Sequence, residues 1–194
     1  MSRLPTLTAL GLILGLATLP APAQAQDGWT TLFDGTSLDG WRRLGDANWQ
    51  LGDGAVSATS GSGYLVTERS YGDFELTLDF WVDEPANSGV FIRCSDPQSV
   101  TDTSCYEVNI YDTRPDQTYR TGGVVHIAAP SSVINTGGQW NSYRITARGS
   151  RLVVVLNGTQ TVDTTDDQFS SGPIALQYGT GTVGFRNVRI RTLD

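Results

Sequence analysis

The sequence contains no lysine, and it has little of several residues on which common functional sites depend. Its 194 residues include one histidine, one methionine and two cysteines, and all 13 of its basic residues are arginines. Against 20 acidic residues these leave a formal net charge of −7. That charge argues against a nucleic-acid-binding protein, which needs a basic patch to neutralise phosphates. A single imidazole also excludes a zinc cage built from several histidines.

The N-terminal segment has the pattern of a secretory signal peptide. A short positive start precedes an apolar run at residues 7–19, which is too short to span a bilayer, and an A-x-A cleavage pattern follows at residues 23–25. We therefore predict a signal peptide at 1–25 and a single domain at 26–194. The protein is expected in the bacterial periplasm or outside the cell, with no membrane insertion after cleavage.

The two cysteines fit this location. Cys94 and Cys105 are separated by ten residues rich in Asp, Ser and Thr, and each stands at the end of a strand-like run. Because exported proteins meet oxidising conditions, we predict that the two form a disulfide. Such a bond would stabilise the fold by roughly 3 kcal/mol. A catalytic thiol is disfavoured, since neither cysteine has the His and Asn/Asp spacing of a cysteine enzyme.

The remainder of the chain is patterned as strands. Hydrophobic residues make up 39% of the sequence, and outside the signal no long window shows helical spacing. At residues 74–81, four large apolar residues alternate with polar or aromatic ones, and Asn157-Gly158 separates two further runs as in a type I′ hairpin. About a dozen such strands predict an all-β fold, an antiparallel two-sheet β-sandwich of the jelly-roll kind.

Large aromatic and charged side chains occupy the positions opposite the aliphatic ones. Aromatic rings pack against the apolar faces of sugars, while Arg, Asn and carboxylates bond sugar hydroxyls. If the aliphatic residues form the core, the alternation predicts one carbohydrate-binding sheet face. Its members would be Asp79, Trp81, Arg93, Glu107, Asn109, His126 and Gln177.

An ordered series of short motifs resembles the 3-keto-disaccharide hydrolase domain family. The series opens with TLFDGTSLDGW at residues 31–41 and covers nearly all of the chain after the signal. Domains of that family have the concanavalin A-like lectin/glucanase fold. One difference is that Asn109 stands where the family commonly has Gln. The further motifs lie at residues 73–76, 87–93, 106–110, 139–143, 156–158, 172–177 and 185–188.

The resemblance implies cleavage of glycosides whose sugar is oxidised at C3. A 3-keto group acidifies the C2 proton, so a base can remove it, the C1 substituent can depart by elimination, and water can add back. Such a site needs a base, a cation for the enolate and an acid for the leaving oxygen. We assign these roles to Glu107, to Arg93, and to Asp79 or His126, respectively. Trp81, Asn109 and Gln177 would hold the ring and its hydroxyls.

Two alternatives remain. Glu107, Asn109 and Asp112 form a degenerate version of the Glu-x-Asp-x-x-Glu series of retaining β-glucanases, and Asp112 is counted with the substrate-binding residues. A β-bulge would be needed to bring the third residue onto the face of the first two. The other alternative is a secreted, non-catalytic carbohydrate-binding module, which would use the same face without chemistry at Glu107.

No cofactor is indicated with certainty. A divalent metal such as calcium could be held at the sheet face by Asp79, Glu107 and water. Acidic clusters at residues 34–39 and 163–167 also offer oxygen ligands, but turn chemistry explains both without a metal. The expected partner is a carbohydrate, and no nucleic acid is expected.

Overall fold

The computed structural model describes residues 28–193 and, within them, thirteen β-strands and a short 3₁₀ turn at Gln117–Tyr119. The strands are β1 Thr30–Phe33, β2 Trp41–Gly45, β3 Gln50–Gly52, β4 Ala55–Ala58, β5 Gly63–Thr67, β6 Phe74–Val82, β7 Ser88–Ile92, β8 Tyr106–Ile110, β9 Gln139–Arg148, β10 Arg151–Leu156, β11 Thr159–Thr165, β12 Ala175–Tyr178 and β13 Val183–Thr192.

The strands form two antiparallel sheets. The eight-stranded sheet has the order β11-β10-β9-β6-β13-β4-β3, with β1 pairing to β13, and the five-stranded sheet has the order β2-β5-β12-β7-β8. Non-consecutive neighbours within each sheet show that the chain crosses between them. The prediction of an all-β, two-sheet sandwich is confirmed.

Alternation along the strands builds the core between the sheets. On β6 the side chains of Phe74, Leu76 and Phe80 are fully buried, and they pack in one cluster with Val108 and Ile110 of β8 in the other sheet. Each such side chain contributes about 1.5–3 kcal/mol on burial. The intervening residues of both strands therefore face outward, away from the partner sheet.

The Asn157-Gly158 turn joins β10 to β11 as predicted. Both residues have positive φ, 50° and 82°, which is the backbone that a type I′ turn requires. The Asn157 amide oxygen accepts from the backbone N–H of Ser142 at 2.9 Å, so the turn is also fixed to the neighbouring strand β9. The turn geometry therefore explains why Asn157 and Gly158 stand at this point of the sequence.

The predicted disulfide between Cys94 and Cys105 is confirmed. It closes the loop between β7 and β8, and its two buried cysteines belong to one hydrophobic cluster with Phe91, Val100 and Ala175 on the outer side of the five-stranded sheet. The disulfide is consistent with export. The predicted signal at 1–25 lies outside the described residues, and both it and the domain boundaries remain predictions. Within residues 28–193 there is no helix of the length and apolarity needed to cross a bilayer.

Candidate functional site

A cavity of about 350 Å³ lies on the outer face of the five-stranded sheet. Four adjacent strands, β5, β12, β7 and β8, form its floor, and the loops that follow β7 and β8 form its walls. Polar and aromatic side chains alternate around it. Its lining residues are Tyr64, Asn87, Phe91, Val100, Thr101, Asp102, Glu107, Asn109, Tyr111, Arg114, Val125 and Gln177. We call it the Glu107 cavity.

Glu107 is the most perturbed acid of this cavity. Only 9% of the residue is exposed, and among residues 28–193 no side-chain hydrogen bond or ion pair reaches its carboxyl. Burial, with a smaller contribution from the negative charge of Asp102, raises the pKa of Glu107 to about 7, while Arg114 opposes the shift. A carboxyl with this pKa is half-ionised near neutral pH, which suits a general base.

A glycine on the neighbouring strand makes room for the Glu107 carboxyl. An added Cβ at Gly89 would lie 3.0 Å from Glu107 Oε1 and 3.2 Å from its Cγ. Any larger residue at this position of β7 would therefore press on the carboxyl. The absence of a side chain lets Glu107 lie low against the sheet, where it is shielded from water.

Two amide side chains that line the same cavity carry acceptors without partners. Within the described chain, Asn109 Oδ1 and Gln177 Oε1 are buried without a hydrogen-bond partner. The other ends of both amides are fixed: Asn109 Nδ2 donates to the Tyr119 carbonyl, and Gln177 Nε2 lies 3.5 Å from Tyr64 Oη. A buried, unpaired acceptor costs about 1–3 kcal/mol, so both oxygens would gain from ligand hydroxyl donors.

Arg114 supplies the positive charge of the cavity lining. Its guanidinium lies 5.7 Å from the centroid of the Tyr119 ring, and Nη1 donates to the Tyr119 carbonyl at 3.5 Å. Asp102 stands on the loop closed by the disulfide and provides an opposing negative charge. The Glu107 carboxyl is therefore under the influence of one cation and one anion.

Arg93 does not lie in the cavity, so its predicted position beside Glu107 is wrong. Strand β7 ends at Ile92, and Arg93 adopts a left-handed backbone with φ of 52°, which breaks the alternation. Its guanidinium is 1% exposed and donates to the Gly72 carbonyl at 2.9 Å, the Gly149 carbonyl at 2.8 Å and Asp73 Oδ1 at 2.8 Å. Arg93 thus ties loops together inside the protein.

Asp79 and Trp81 lie on the other sheet, and the prediction of one shared face is wrong for them. Both are outward residues of β6, in the eight-stranded sheet. Asp79 Oδ2 accepts from Arg186 Nε at 3.1 Å and from Asn187 Nδ2 at 2.7 Å. Period two separates inward from outward positions, but it does not tell which of two outer faces an outward residue occupies.

The separation of Asp79 from Glu107 also bears on the expected metal site. Because the two carboxylates lie on opposite outer faces of the sandwich, one ion cannot be shared between them. Over residues 28–193, moreover, His, Cys, Asp and Glu side chains nowhere form a group of three or more with the geometry to hold a metal.

Asp112 is part of the scaffold rather than of the cavity, which contradicts its predicted binding role. Its side chain is 8% exposed and accepts from Thr121 Oγ1 at 2.5 Å and from the backbone N–H groups of Thr136 and Gly137. The bulge required by the glucanase-like series does not turn this carboxylate toward Glu107. The series therefore lacks its third member.

His126 borders a second, smaller cavity beside the first. Its Nε2 lies 2.9 Å from Asp102 Oδ2, and half of its side chain is exposed. The smaller cavity has a volume of about 180 Å³ and is also lined by Phe169. Asp102 and Val125 line both cavities, so the His126–Asp102 pair stands at the boundary between them.

The predicted set is therefore brought together only in part. Glu107, Asn109 and Gln177 line one cavity. His126 does not line it but contacts Asp102, which does. Sequence reasoning missed Tyr64, Asp102 and Arg114. Tyr64 follows the alternation of its strand and could have been found, whereas the last two stand on loops where no periodicity applies.

Comparison with known proteins identifies the family. The profile of the 3-keto-alpha-glucoside-1,2-lyase-like domain matches residues 28–191. The chain belongs to this family.

Among relatives of known name, a 3-keto-disaccharide hydrolase from Bacteroides thetaiotaomicron is 32% identical over 87 residues. The match covers 38% of this chain and 30% of that protein, so it spans less than a third of the relative's length. The family membership confirms the resemblance read from the ordered motifs.

Two solved structures show the same fold. A candidate glycosyl hydrolase from Parabacteroides distasonis superposes with a TM-score of 0.78 at 22% identity, over 87% of this chain and 95% of that one. The carbohydrate-binding module CBM66 from Bacillus subtilis superposes with a TM-score of 0.64 at 18% identity, over 79% of this chain and 96% of the module. At these identities the likeness shows the fold alone.

Proposed function

We propose that this protein is an exported hydrolase that cleaves 3-keto-glycosides, 3-keto-disaccharides among them, in the Glu107 cavity. The observation that carries the proposal is the Glu107 carboxyl itself, which is buried, unpaired within the described chain and raised in pKa to about 7. Membership of the 3-keto-alpha-glucoside-1,2-lyase-like family and the name of the Bacteroides relative support the substrate class.

The reaction consists of an elimination and a hydration. Glu107 takes the proton from C2, and the electron pair forms an enolate with the C3 oxygen. The C1–O bond then breaks, and the departing oxygen takes up a proton, leaving a 1,2-unsaturated 3-ketone. Water adds its hydroxide to C1 and gives its remaining proton to the acid that protonated the leaving oxygen, and C2 regains a proton from Glu107. The net change is hydrolysis, and Glu107 ends in its starting form.

Arg114 is proposed as the cation that stabilises the enolate, a role that Arg93 cannot fill from its buried position. The Arg114 guanidinium lines the same cavity as Glu107 and already influences its charge. A fixed positive charge near the C3 oxygen would favour the transition state over the neutral ketone. Asn109 and Gln177 would accept from sugar hydroxyls through their unpaired oxygens, and Tyr64 and Phe91 would bound the ring.

The His126–Asp102 pair is proposed to protonate the leaving oxygen. The pair stands where the Glu107 cavity meets the smaller cavity that His126 borders. If the oxidised ring occupies the Glu107 cavity, the departing group extends into the smaller cavity, which is lined in part by Phe169. The bond that breaks would then lie beside His126, with Asp102 holding the imidazole in place.

The test is to incubate the purified protein with a 3-keto-glucoside and with its unoxidised parent, with and without chelator, and to follow glycone release. The proposal predicts cleavage of the keto compound alone. Loss of that cleavage with chelator, restored by calcium or another divalent ion, would add a metal requirement. Cleavage of the parent would favour the glucanase-like alternative and contradict the elimination.

A carbohydrate-binding module is the second candidate, because the chain shares its sandwich fold with CBM66. The desolvated state of Glu107 speaks against it, since a binding site gains nothing from an acid that is costly to ionise. Tight binding of an unmodified glycan without turnover of either compound would favour the module. The two outcomes are separated by the same incubation and one binding measurement.

A further inference from the structure

The outer face of the eight-stranded sheet carries a separate cavity, of about 370 Å³, which the proposed function does not use. It lies over β9, β6 and β13, on the side of the sandwich opposite the Glu107 cavity. Its charged and polar side chains are those of Thr77, Asp79, Ser142, Arg144, Asn187 and Arg189. We call it the Arg144/Arg189 cavity.

Two arginines flank a threonine in the lining of this cavity. Strand register places Arg144 of β9 and Arg189 of β13 on either side of Thr77 of β6. Because neighbouring strands are about 4.8 Å apart, the two Cα atoms are separated by roughly 10 Å. Two guanidinium groups at this spacing can converge on one anionic group between them, and the Thr77 hydroxyl can donate to it.

A bulge in β13 opens the cavity. The register with β6 shifts between Arg186 and Arg189, and Asn187 adopts a left-handed backbone with φ of 54°. The Asn187 amide is held by Asp79 Oδ2 at 2.7 Å. Bulges are over-represented next to functional sites, where they redirect side chains. Here the bulge moves Asn187 to the cavity wall.

The charges around the cavity favour an anion, although the chain as a whole is acidic with a net charge of −7. Glu75 pairs with both Arg144 and Arg191, and Asp79 pairs with Arg186. These two carboxylates therefore pair with three arginines, and Arg189 is a fourth. Arg189 is exposed, makes no ion pair with any residue between 28 and 193, and lies 5.7 Å from the Trp29 ring centroid.

Two tryptophans lie beyond the cavity on the same face of the sheet. Trp140 of β9 and Trp81 of β6 are directly opposite each other in the sheet, and Trp140 is 39% exposed. Arg186, held by Asp79, lies 3.9 Å from the Trp140 ring centroid. An exposed tryptophan fixed in place, with a half-buried one beside it, is unusual on a solvated sheet face, and such rings provide the apolar surface on which sugar rings pack.

From these observations we propose that the outer face of the eight-stranded sheet is a second carbohydrate-binding surface, specific for anionic glycans. The carboxylate or sulfate of one sugar would bind between Arg144 and Arg189, and adjoining rings would lie along Trp140 and Trp81. This surface would hold an acidic polysaccharide while the opposite face remains free. The inference does not depend on the proposed function of the Glu107 cavity.

The test measures binding of the full chain to matched polymers: polygalacturonate against methyl-esterified pectin, and dextran sulfate against dextran. We expect binding to at least one charged polymer and not to its neutral counterpart, weakening as salt screens the charges. The first pair reports carboxylate recognition and the second reports sulfate. Equal binding of charged and neutral polymers would overturn the proposal. So would equally tight binding of inorganic polyphosphate or single-stranded DNA, since charge alone would then explain the affinity.

Variants locate the surface. The double variant Arg144→Gln/Arg189→Gln and the single variant Trp140→Ala should each weaken binding by about tenfold or more. Arg69→Gln, which removes an exposed arginine elsewhere, and Glu107→Gln should bind as the unmodified chain does. Melting curves check that each variant is folded, and the exposed Arg144 ion pair contributes little to stability. The assignment would be refuted if the folded double variant bound the charged polymer as tightly as the unmodified chain. It would also be refuted if Arg69→Gln lost as much binding as the double variant.

Discussion

The two outer faces of this sandwich carry similar residues in very different environments. On the eight-stranded sheet, Asp79 and Glu75 are each bonded to arginine, so their negative charges are stabilised. On the five-stranded sheet, Glu107 is buried with no such partner among residues 28–193 and has its pKa raised to about 7. A paired carboxylate holds structure or orients a neighbour, whereas a desolvated and unpaired one can take up a proton near neutral pH.

The largest expected effect separates these two kinds of carboxylate. Glu107→Gln should lower kcat for a 3-keto-glucoside by about 10²–10⁴-fold, the usual contribution of a general base. Asp163→Asn is the matched control, because Asp163 is a strand carboxylate paired with Arg151 on the eight-stranded sheet. Its activity should be unchanged. Steady-state kinetics of the three proteins would contradict the comparison if both variants lost activity equally.

Arg93 extends the comparison to a buried charge with a full set of partners. Arg93→Gln should reduce the free energy of unfolding by about 3 kcal/mol, because it leaves Asp73 and buried carbonyls without their donor. Urea denaturation measures the loss. The variant should retain kcat under conditions where it is folded. A large fall in kcat with unchanged stability would return Arg93 to the catalytic machinery.

The raised pKa of Glu107 also predicts how stability varies with pH. The folded protein keeps this proton up to about pH 7, whereas the unfolded chain releases it near the ordinary value of about 4.3. Glu107 therefore costs nothing below pH 4, destabilises the fold increasingly as pH rises, and exerts its full cost above pH 7. Glu107→Gln should be more stable than the unmodified protein at pH 8, by up to about 3 kcal/mol.

Thermal melts at pH 8 and pH 4.5 test this prediction, with the advantage of Glu107→Gln expected to shrink at the lower pH. Asp163 provides the opposite sign, since hydrogen bonding to Arg151 lowers its pKa. Asp163→Asn should be slightly less stable at neutral pH and equal to the unmodified protein in strong acid. Matching behaviour of the two variants would remove the distinction between the faces.

The smallest expected effect concerns the neighbours of Glu107. The acid limb of the kcat/KM profile should lie near pH 7, with activity rising as Glu107 ionises. Asp102→Asn should move the limb to lower pH because it removes a negative charge, and Arg114→Gln should move it to higher pH. Profiles for both variants check the signs. Shifts in the same direction would show that the limb belongs to another group.

The sequence predicts the sandwich well because strand alternation is a local signal. Residues 74–82 alternate throughout a strand and are buried accordingly, and the Asn157-Gly158 turn fixes its own hairpin. The disulfide was predictable because Cys94 and Cys105 are the chain's two cysteines. The ordered motifs indicate the family, because they follow one another along nearly the whole segment that the family profile matches.

The site is less predictable because it depends on which strands become neighbours. Alternation puts Glu107 and Asn109 on one face because they share a strand, and the structure brings Gln177 beside them through β12. The same alternation groups Asp79 with them because it also faces outward, although β6 pairs in the other sheet. Arg93 escapes prediction because a single left-handed residue after β7 turns its side chain inward. Asp102 and Arg114 lie on loops, where long-range packing decides position.

The central claim is that Glu107 removes the C2 proton of a 3-keto sugar. The most direct measurement is to run the cleavage in deuterium oxide and to record the label at C2 of the released glycone at early times by NMR. The account predicts that the unmodified protein incorporates deuterium at C2 much faster than a reaction without enzyme. With Glu107→Gln, the rate of incorporation should equal that of the reaction without enzyme. Because Glu107 can return the same proton to C2, the contradicting result is glycone with its original C2 hydrogen together with equal cleavage rates for substrates that carry hydrogen and deuterium at C2.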